Sequence, residues 1–242
     1  MNYRLYKDLA PWWPYISSRD SYTDEALVHL RLMDDALGRK AESILELGSG
    51  GGQLAAHFGS DREVVLSDLS SSMLDQSREH NTGREHVLGD MRDMRLGRTF
   101  DAVLLHDAVM YLTSPEDLQA TIETAAAHLA PGGVFLILPD VVKETFEEGS
   151  ISGGSLGQPA AQLLEWHWDP DPEDNTYRVD MCLMLRHENG TVETVHEHHE
   201  MGLFDRKTIC DLIRSAGFDL VQGTVWEAVD IAEFFIAIKR GV

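Results

Sequence analysis

The residues best placed for chemistry lie in one short stretch, Glu46-Leu47-Gly48-Ser49-Gly50-Gly51-Gly52, directly after the apolar run from Ile44. Glycines are needed where a backbone leaves a buried strand, turns tightly and lets a ligand approach without a Cβ in the way. A nucleotide-like ligand is the chemistry this implies. A dinucleotide fingerprint would continue Gly-x-Gly-x-x-Gly or Ala, but reading from Gly48 the sixth position is Gln53, a long side chain where close helix-strand packing calls for a small one. A second cluster, His196-Glu197-His198-His199-Glu200, carries metal-ligand residue types. On a strand its side chains alternate between two faces, so the helical His-Glu-x-x-His geometry is missing. That run reads first as a solvated hairpin face, then as substrate contacts from His198 or His199, and no metal site is expected.

The elements that must hold these residues follow from periodicity. From Ser43 onward short apolar runs alternate with amphipathic stretches: ILEL, the glycine turn opening a helix, VVLS, SSSMLDQSREH, HVLG, DAVLLH, a helix from Pro115 to Leu129, and VFLILP. Strands separated by helices imply right-handed crossovers, hence a doubly wound α/β sheet, parallel in its core. The tail supplies a helix over Arg206–Ser215, ended by Gly217, and apolar strands near Phe218–Val225 and Ile231–Ile238. Before the sheet comes an aromatic arm with Tyr3, Tyr6, Trp12, Trp13, Tyr15 and Tyr22, broken by Pro11 and Pro14. A helix then runs from Thr23, which can cap it, to Gly38. Within residues 141–204, TYRVDMCLMLRH and TVETVHEHHEMGLF flank Glu188-Asn189-Gly190, which predicts an inserted antiparallel β-hairpin. The expected division is an arm and helix over 1–42, a core over 43–140 and 205–242, and the insertion between them.

Read as acidic-x-Gly-x-Gly-x-Gly, the residues Glu46, Gly48, Gly50 and Gly52 resemble the first motif of class I S-adenosylmethionine-dependent methyltransferases. Further matches fall in register. Asp68 ends VVLSD, where that family accepts from ribose hydroxyls, with Leu69 and Met73 beside it for adenine. Asp90-Met91 ends HVLGDM, the family's position for the adenine amino group and ring, and LAPGGVFLI resembles the turn before strand five. The resemblance implies a Rossmann-like, doubly wound seven-stranded sheet whose last strand is antiparallel. It implies S-adenosylmethionine as cofactor and S-adenosylhomocysteine as product, with Ser49 among the contacts. GDMRDMRLGRTFDAVLLHDAVMYL, PDVVKETF and GLFDRKTICDLIRSAGF are similar to small-molecule N-methyltransferases of the glycine and amino-sugar types. PWWP at 11–14 and WHWDPDP at 166–172 depart from the sugar enzymes, leaving the acceptor open.

In that fold His106 stands at the end of strand four, across the rim from the glycine turn, with Asp107 next to it. It is the candidate base, substrate anchor and cofactor neighbour, because delivering an amine or a hydroxyl requires removing a proton. Tyr111 is a candidate substrate contact or a packing residue. Tyr6, Trp12 and Trp13 are the arm's candidates for a lid over the acceptor, since each joins apolar bulk to a polar tip.

A formal charge of −21 and a pI near 4.7 over 242 residues argue against nucleic acid or anionic membrane as partner and favour a small-molecule acceptor. Two cysteines without Cys-x-x-Cys spacing, and no leader or membrane-length apolar run, point to a soluble cytoplasmic protein. A homodimer is left open, as is nitrogen against oxygen as the methylated atom. The rival readings are a catalytically idle cofactor-binding module and, against Gln53, an NAD-linked oxidoreductase.

Overall fold

The structure is a computed structural model that describes residues 3–221 and 233–241. The chain runs α1 (Trp13–Ile16), α2 (Thr23–Leu37), β1 (Ser43–Leu47), β2 (Glu63–Asp68), α3 (Ser71–His80), β3 (Glu85–Leu88) and β4 (Phe100–His106). It continues with α4 (Pro115–Ala127), β5 (Leu129–Leu138), β6 (Gly149–Gly154), β7 (Ala160–Trp168), β8 (Thr176–Arg186) and β9 (Val192–Gly202). It ends with α5 (Arg206–Ser215), β10 (Phe218–Val221) and β11 (Phe235–Lys239). Seven strands form one sheet in the order β10-β11-β5-β4-β1-β2-β3. The β5-β4-β1-β2-β3 part is parallel, and β11 is antiparallel to both of its neighbours. This is the doubly wound Rossmann-like sheet with an antiparallel last strand expected from the sequence. The part of the expected tail strands that falls on residues 222–232 lies outside the described residues.

The two-residue period of the strands sorts the core into two layers. Leu45, Leu47, Val65, Val103, Leu105, Phe135 and Ile137 face α4 and α5, meeting Leu118, Ile122, Ile209 and Ile213. Ile44, Val64, Leu66, Ala102, Leu104, Val134 and Leu136 face α2, meeting Ala26, Leu30 and Met33. Each of these side chains is removed from water, at about 1.5–3 kcal/mol for a large apolar one. The alternation has a consequence for function: Glu46 and His106 continue the α2-facing rows of β1 and β4 past the end of the apolar layer.

Three expectations change. The glycine turn opens onto a single 3-10 turn, Ala55–His57, not a helix. Gly59, at φ +74°, stops it, and the short span from Gly52 to Glu63 must still return the length of the sheet. Thr23 does not cap α2: its hydroxyl donates to the Asp20 carbonyl, and Tyr22 occupies the cap position without a side-chain bond. Finally, the insertion is a four-stranded antiparallel sheet, β6-β7-β8-β9, of which the hairpin β8-β9 is only half. The hairpin itself turns at Gly190, φ +83°, with Asn189 accepting from the Thr191 amide. β6 reads GSISGG and is exposed along its length, so it lacks the buried apolar alternation that marks a strand in sequence.

Candidate functional site

A cavity of about 500 Å³ opens between the carboxyl ends of the parallel strands, the aromatic arm and the inner face of the four-stranded sheet. Its size is within the range of small-molecule sites. The glycine turn forms one end. Gly48 has φ +72°, and a Cβ there would overlap that of Ala108, so the turn can sit against the end of β4 only as glycine. Gly52 plays a different part from the one expected: it does not line the cavity, and a Cβ on it would overlap the Ser77 hydroxyl and the Asn81 amide of the α3 end.

Around this turn three polar atoms are buried without any hydrogen-bond partner: Glu46 Oε2, Ser49 Oγ and Gln53 Nε2. All three residues line the cavity. An unmatched buried polar atom costs about 1–3 kcal/mol, so three around one turn constitute a polar cradle that a ligand would satisfy. Burial pushes the Glu46 carboxyl up to about 7. Gln53, which the sequence offered only as an argument against dinucleotides, is thereby a cavity residue in its own right. Its orphaned amide could not have been read from spacing.

Further along the rim, the Asp68 carboxylate accepts from the Gly50 amide at 2.8 Å and the Ser70 amide at 2.7 Å. Burial nevertheless raises its pKa above the ordinary carboxylate value. Leu69 and Met73 flank it, and Met91 lies farther along the same wall. Asp90 is clamped by Arg92, whose Nε and Nη2 donate at 3.0 and 2.7 Å, and this pairing holds its carboxyl low. With the Arg92 amide also donating to Oδ1, one lone-pair direction on Oδ2 stays open.

The opposite end is built from elements far apart in sequence. His106 Nε2 lies 2.8 Å from Glu25 Oε1 of α2 and 2.8 Å from Asp107 Oδ1. Burial alone would lower its pKa, but these two carboxylates outweigh it and raise the imidazole well above its ordinary value. Asp107 has φ +46°, a rare conformation for a side-chain-bearing residue, and its carboxylate meets the His106 ring beside the cavity. It pairs with Asp140, just past β5, whose carboxyl is raised well above its ordinary value by desolvation within the site and by the Asp107 charge. Beneath His106 lies His29, fully buried, with its ring edge-on at 4.9 Å between centroids. Burial pushes the His29 imidazole down to about 3.

The inserted sheet closes the cavity with Leu163, Glu165, His167, Tyr177, Val179 and Met181 from its inner face. His167 Nε2 lies 3.2 Å from Glu165 Oε2. Tyr6 and Tyr111 share a short hydroxyl–hydroxyl bond, and both line the cavity, as does Trp13. His199 sits behind them, fully buried, bonded to the Tyr111 hydroxyl at 3.0 Å and to Glu197 at 2.7 Å, with the Tyr3 ring stacked on it at 3.8 Å. His199 therefore supports the wall without reaching the cavity. His198 is exposed on the outer face of β9. Trp12 points elsewhere too, edge-on to His187. Glu25, Asp140, Glu165, His167 and Tyr177 were assigned no role from the sequence, and Asp107 none beyond its place next to His106.

Residues 44–133 match the protein-family model described as Methyltransferase domain. The chain is 37% identical over 115 residues to the dTDP-3-amino-3,4,6-trideoxy-alpha-D-glucopyranose N,N-dimethyltransferase of Streptomyces venezuelae, covering 47% of this chain and 48% of that one. It is 27% identical over 183 residues to the dTDP-3-amino-3,6-dideoxy-alpha-D-glucopyranose N,N-dimethyltransferase of Streptomyces fradiae, covering 75% and 71%. The match thus spans about half of the first relative's length. Among solved structures, DesVI of Streptomyces venezuelae superposes with a TM-score of 0.83 at 24% identity, over 96% of this chain and 97% of that one. SAM-bound CalS10, an amino pentose methyltransferase from Micromonospora echinaspora, gives 0.75 at 23% identity, over 99% and 98%.

Proposed function

We propose that this chain, which carries a class I methyltransferase domain, transfers a methyl group from S-adenosylmethionine to the amine of a small metabolite resembling an amino sugar. The observation that carries the reading is the set of orphaned polar atoms at the glycine turn: Glu46 Oε2, Ser49 Oγ and Gln53 Nε2. They offer an acceptor for an ammonium and donors for a carboxylate, the two charged groups of an amino-acid moiety. Asp68 then takes the ribose hydroxyls, and Asp90, Met91 and Leu69 the adenine. With no helix of full length after the turn, the helix N-terminus that a dinucleotide pyrophosphate needs is missing there, in keeping with Gln53.

When bound, the cofactor supplies a methyl group on a sulfonium, already an excellent leaving group. The chain has to align the acceptor, keep water out and take a proton. We assign the proton-accepting role to the ionised Asp107, held beside the cavity by His106, which acts as anchor. The cavity wall also carries Glu165, and an acidic lining with Asp107 favours a cationic amine over a hydroxyl. Tyr6, Trp13 and Tyr111 close over the acceptor as the lid side of the cavity. Relatives named as N,N-dimethyltransferases support nitrogen as the methylated atom.

Calorimetry with S-adenosylmethionine, followed by mass spectrometry of methyl transfer to a panel of nucleotide-linked amino sugars and to their hydroxyl analogues, tests the reading. Binding with mass gains of one and two methyl groups on amines is expected. Binding without turnover on any acceptor would favour an idle module, and preference for NAD would overturn the cofactor assignment.

We also propose a homodimer through the outer face of the four-stranded sheet, where Leu164, Trp166, Met184 and Val192 are exposed side by side. Sedimentation of Trp166→Glu as a monomer, against a dimeric parent, is the expected result. Two free cysteines suit a reducing cytoplasm, and no helix among the described residues is long and apolar enough to cross a membrane.

A further inference from the structure

His29 poses a problem that the methyl-transfer reading leaves unsolved. It is fully buried, and neither of its ring nitrogens has a hydrogen-bond partner. A neutral imidazole offers one donor and one acceptor, and both lose their water partners here with nothing to replace them. Packing does not require an imidazole there, since its neighbours Ala26, Leu30 and Met33 make an apolar layer. What surrounds it on the cavity side is a converging donor set. Glu25 and His29 are one turn apart on α2, which puts both side chains on one helix face, and His106 descends from β4 to meet them. His29 Nε2 lies 3.9 Å from Glu25 Oε1, His106 Nε2 lies 2.8 Å from the same oxygen, and one ligand atom from each of the three residues falls within 4.8 Å of the others.

We infer that Glu25, His29 and His106 form a three-donor site for a divalent transition-metal ion, next to Asp107. Ligands at about 2.0–2.2 Å from a zinc-like ion lie about 3–4 Å from one another, so the outer donors must draw in from within 4.8 Å and the 2.8 Å His106–Glu25 pair must open slightly, movements that side-chain rotation supplies. Two imidazoles with carboxylate select a borderline transition metal over calcium or magnesium, which demand oxygen ligands. Asp107 Oδ1 stands next to this set, 2.8 Å from His106 Nε2. His106 and Asp107 both line the cavity, so an ion has a path in. The site is separate from the His196–Glu200 run, whose residues are split between two faces of β9.

The consequence for turnover rests on the reading of Asp107 as proton acceptor: a metal that engages it would inhibit methyl transfer. The primary test does not depend on that reading. Titration of the whole purified protein, stripped with chelator, with Co2+ should give visible d–d absorption saturating at one ion per chain. His29→Gln, which keeps side-chain volume, and Glu25→Gln should each weaken binding by about 10- to 100-fold while melting remains cooperative. His196→Ala together with His198→Ala should leave it unchanged. Absence of a d–d signal at high micromolar Co2+, or a signal lost in the hairpin variant and kept in His29→Gln, would overturn the site. Zn2+ added to the parent should lower turnover, and His29→Gln should keep basal turnover but lose the inhibition. Binding with unchanged turnover would keep the site and reject Asp107 as proton acceptor.

Discussion

The two ends of the cavity treat their polar groups in opposite ways. At the glycine turn Glu46, Ser49 and Gln53 are buried with polar atoms unmatched, whereas at the far end the groups satisfy one another: His106 with Glu25 and Asp107, Asp107 with Asp140, and Tyr6, Tyr111, His199 and Glu197 in one chain. An unsatisfied cradle is rigid, costly and specific for one ligand. A self-paired network can stand without ligand and yield its partners to whatever acceptor enters. The first end suits a constant cofactor and the second a variable substrate. His29 breaks the rule, being the unmatched group on the self-paired side, and that is why it points to a further ligand.

The contrast can be broken most directly at Asp107. Asp107→Asn should lower kcat by about 100-fold or more, the low end for removing a proton acceptor, while cofactor affinity stays within a factor of two. A loss of cofactor affinity without loss of kcat would place Asp107 on the wrong side of the comparison. Next comes Glu46, whose carboxyl is pushed up to about 7 from 4.5. A folded-state pKa above the unfolded value means a stabilising contribution that is complete below about pH 4.5 and lost as pH rises through 7. That amounts to about 3 kcal/mol. Comparing melting of the ligand-free parent and Glu46→Gln between pH 5 and 8 should show the parent losing this much relative to the variant, and less when S-adenosylmethionine is bound, because an ammonium opposite Glu46 favours the charged form. A pH-independent difference would deny Glu46 its burial cost.

Asp68→Ala should weaken S-adenosylmethionine binding by about 1–3 kcal/mol in calorimetry, the cost of orphaning ribose hydroxyls. Unchanged affinity would remove the ribose from that rim. The smallest effect is expected for Tyr111→Phe, which deletes a hydroxyl bonded to Tyr6 and His199 and should cost about 1 kcal/mol of stability in chemical denaturation, with cofactor affinity intact. A larger loss of cofactor affinity would show the two ends to be coupled.

The same division governs what could be read in advance. The glycine-turn end carries local signals: Glu46 to Gly52 is one continuous turn, and Asp68 and Asp90 each follow a short apolar run. The acceptor end was mostly illegible, since Glu25, His106, Asp140 and Glu165 belong to α2, β4, the segment after β5 and β7, and nothing in any one segment marks its neighbour. His199 shows the limit well. The sequence gives its alternation on a strand, but only the packing of the arm against β9 buries it beneath Tyr3 and bonds it to Tyr111.

By itself, then, the sequence determined the parallel sheet and the glycine turn, because period-2 burial and turn chemistry are properties of consecutive residues, while the antiparallel last strand was implied by the family resemblance. Only the tertiary structure decided that β6 and β7 extend the hairpin into a sheet over the cavity, that Gln53 folds into it, and that α2 brings Glu25 and His29 up to His106. Those outcomes depend on which surfaces meet, and contacts between residues distant in sequence are set by the global packing of the layers.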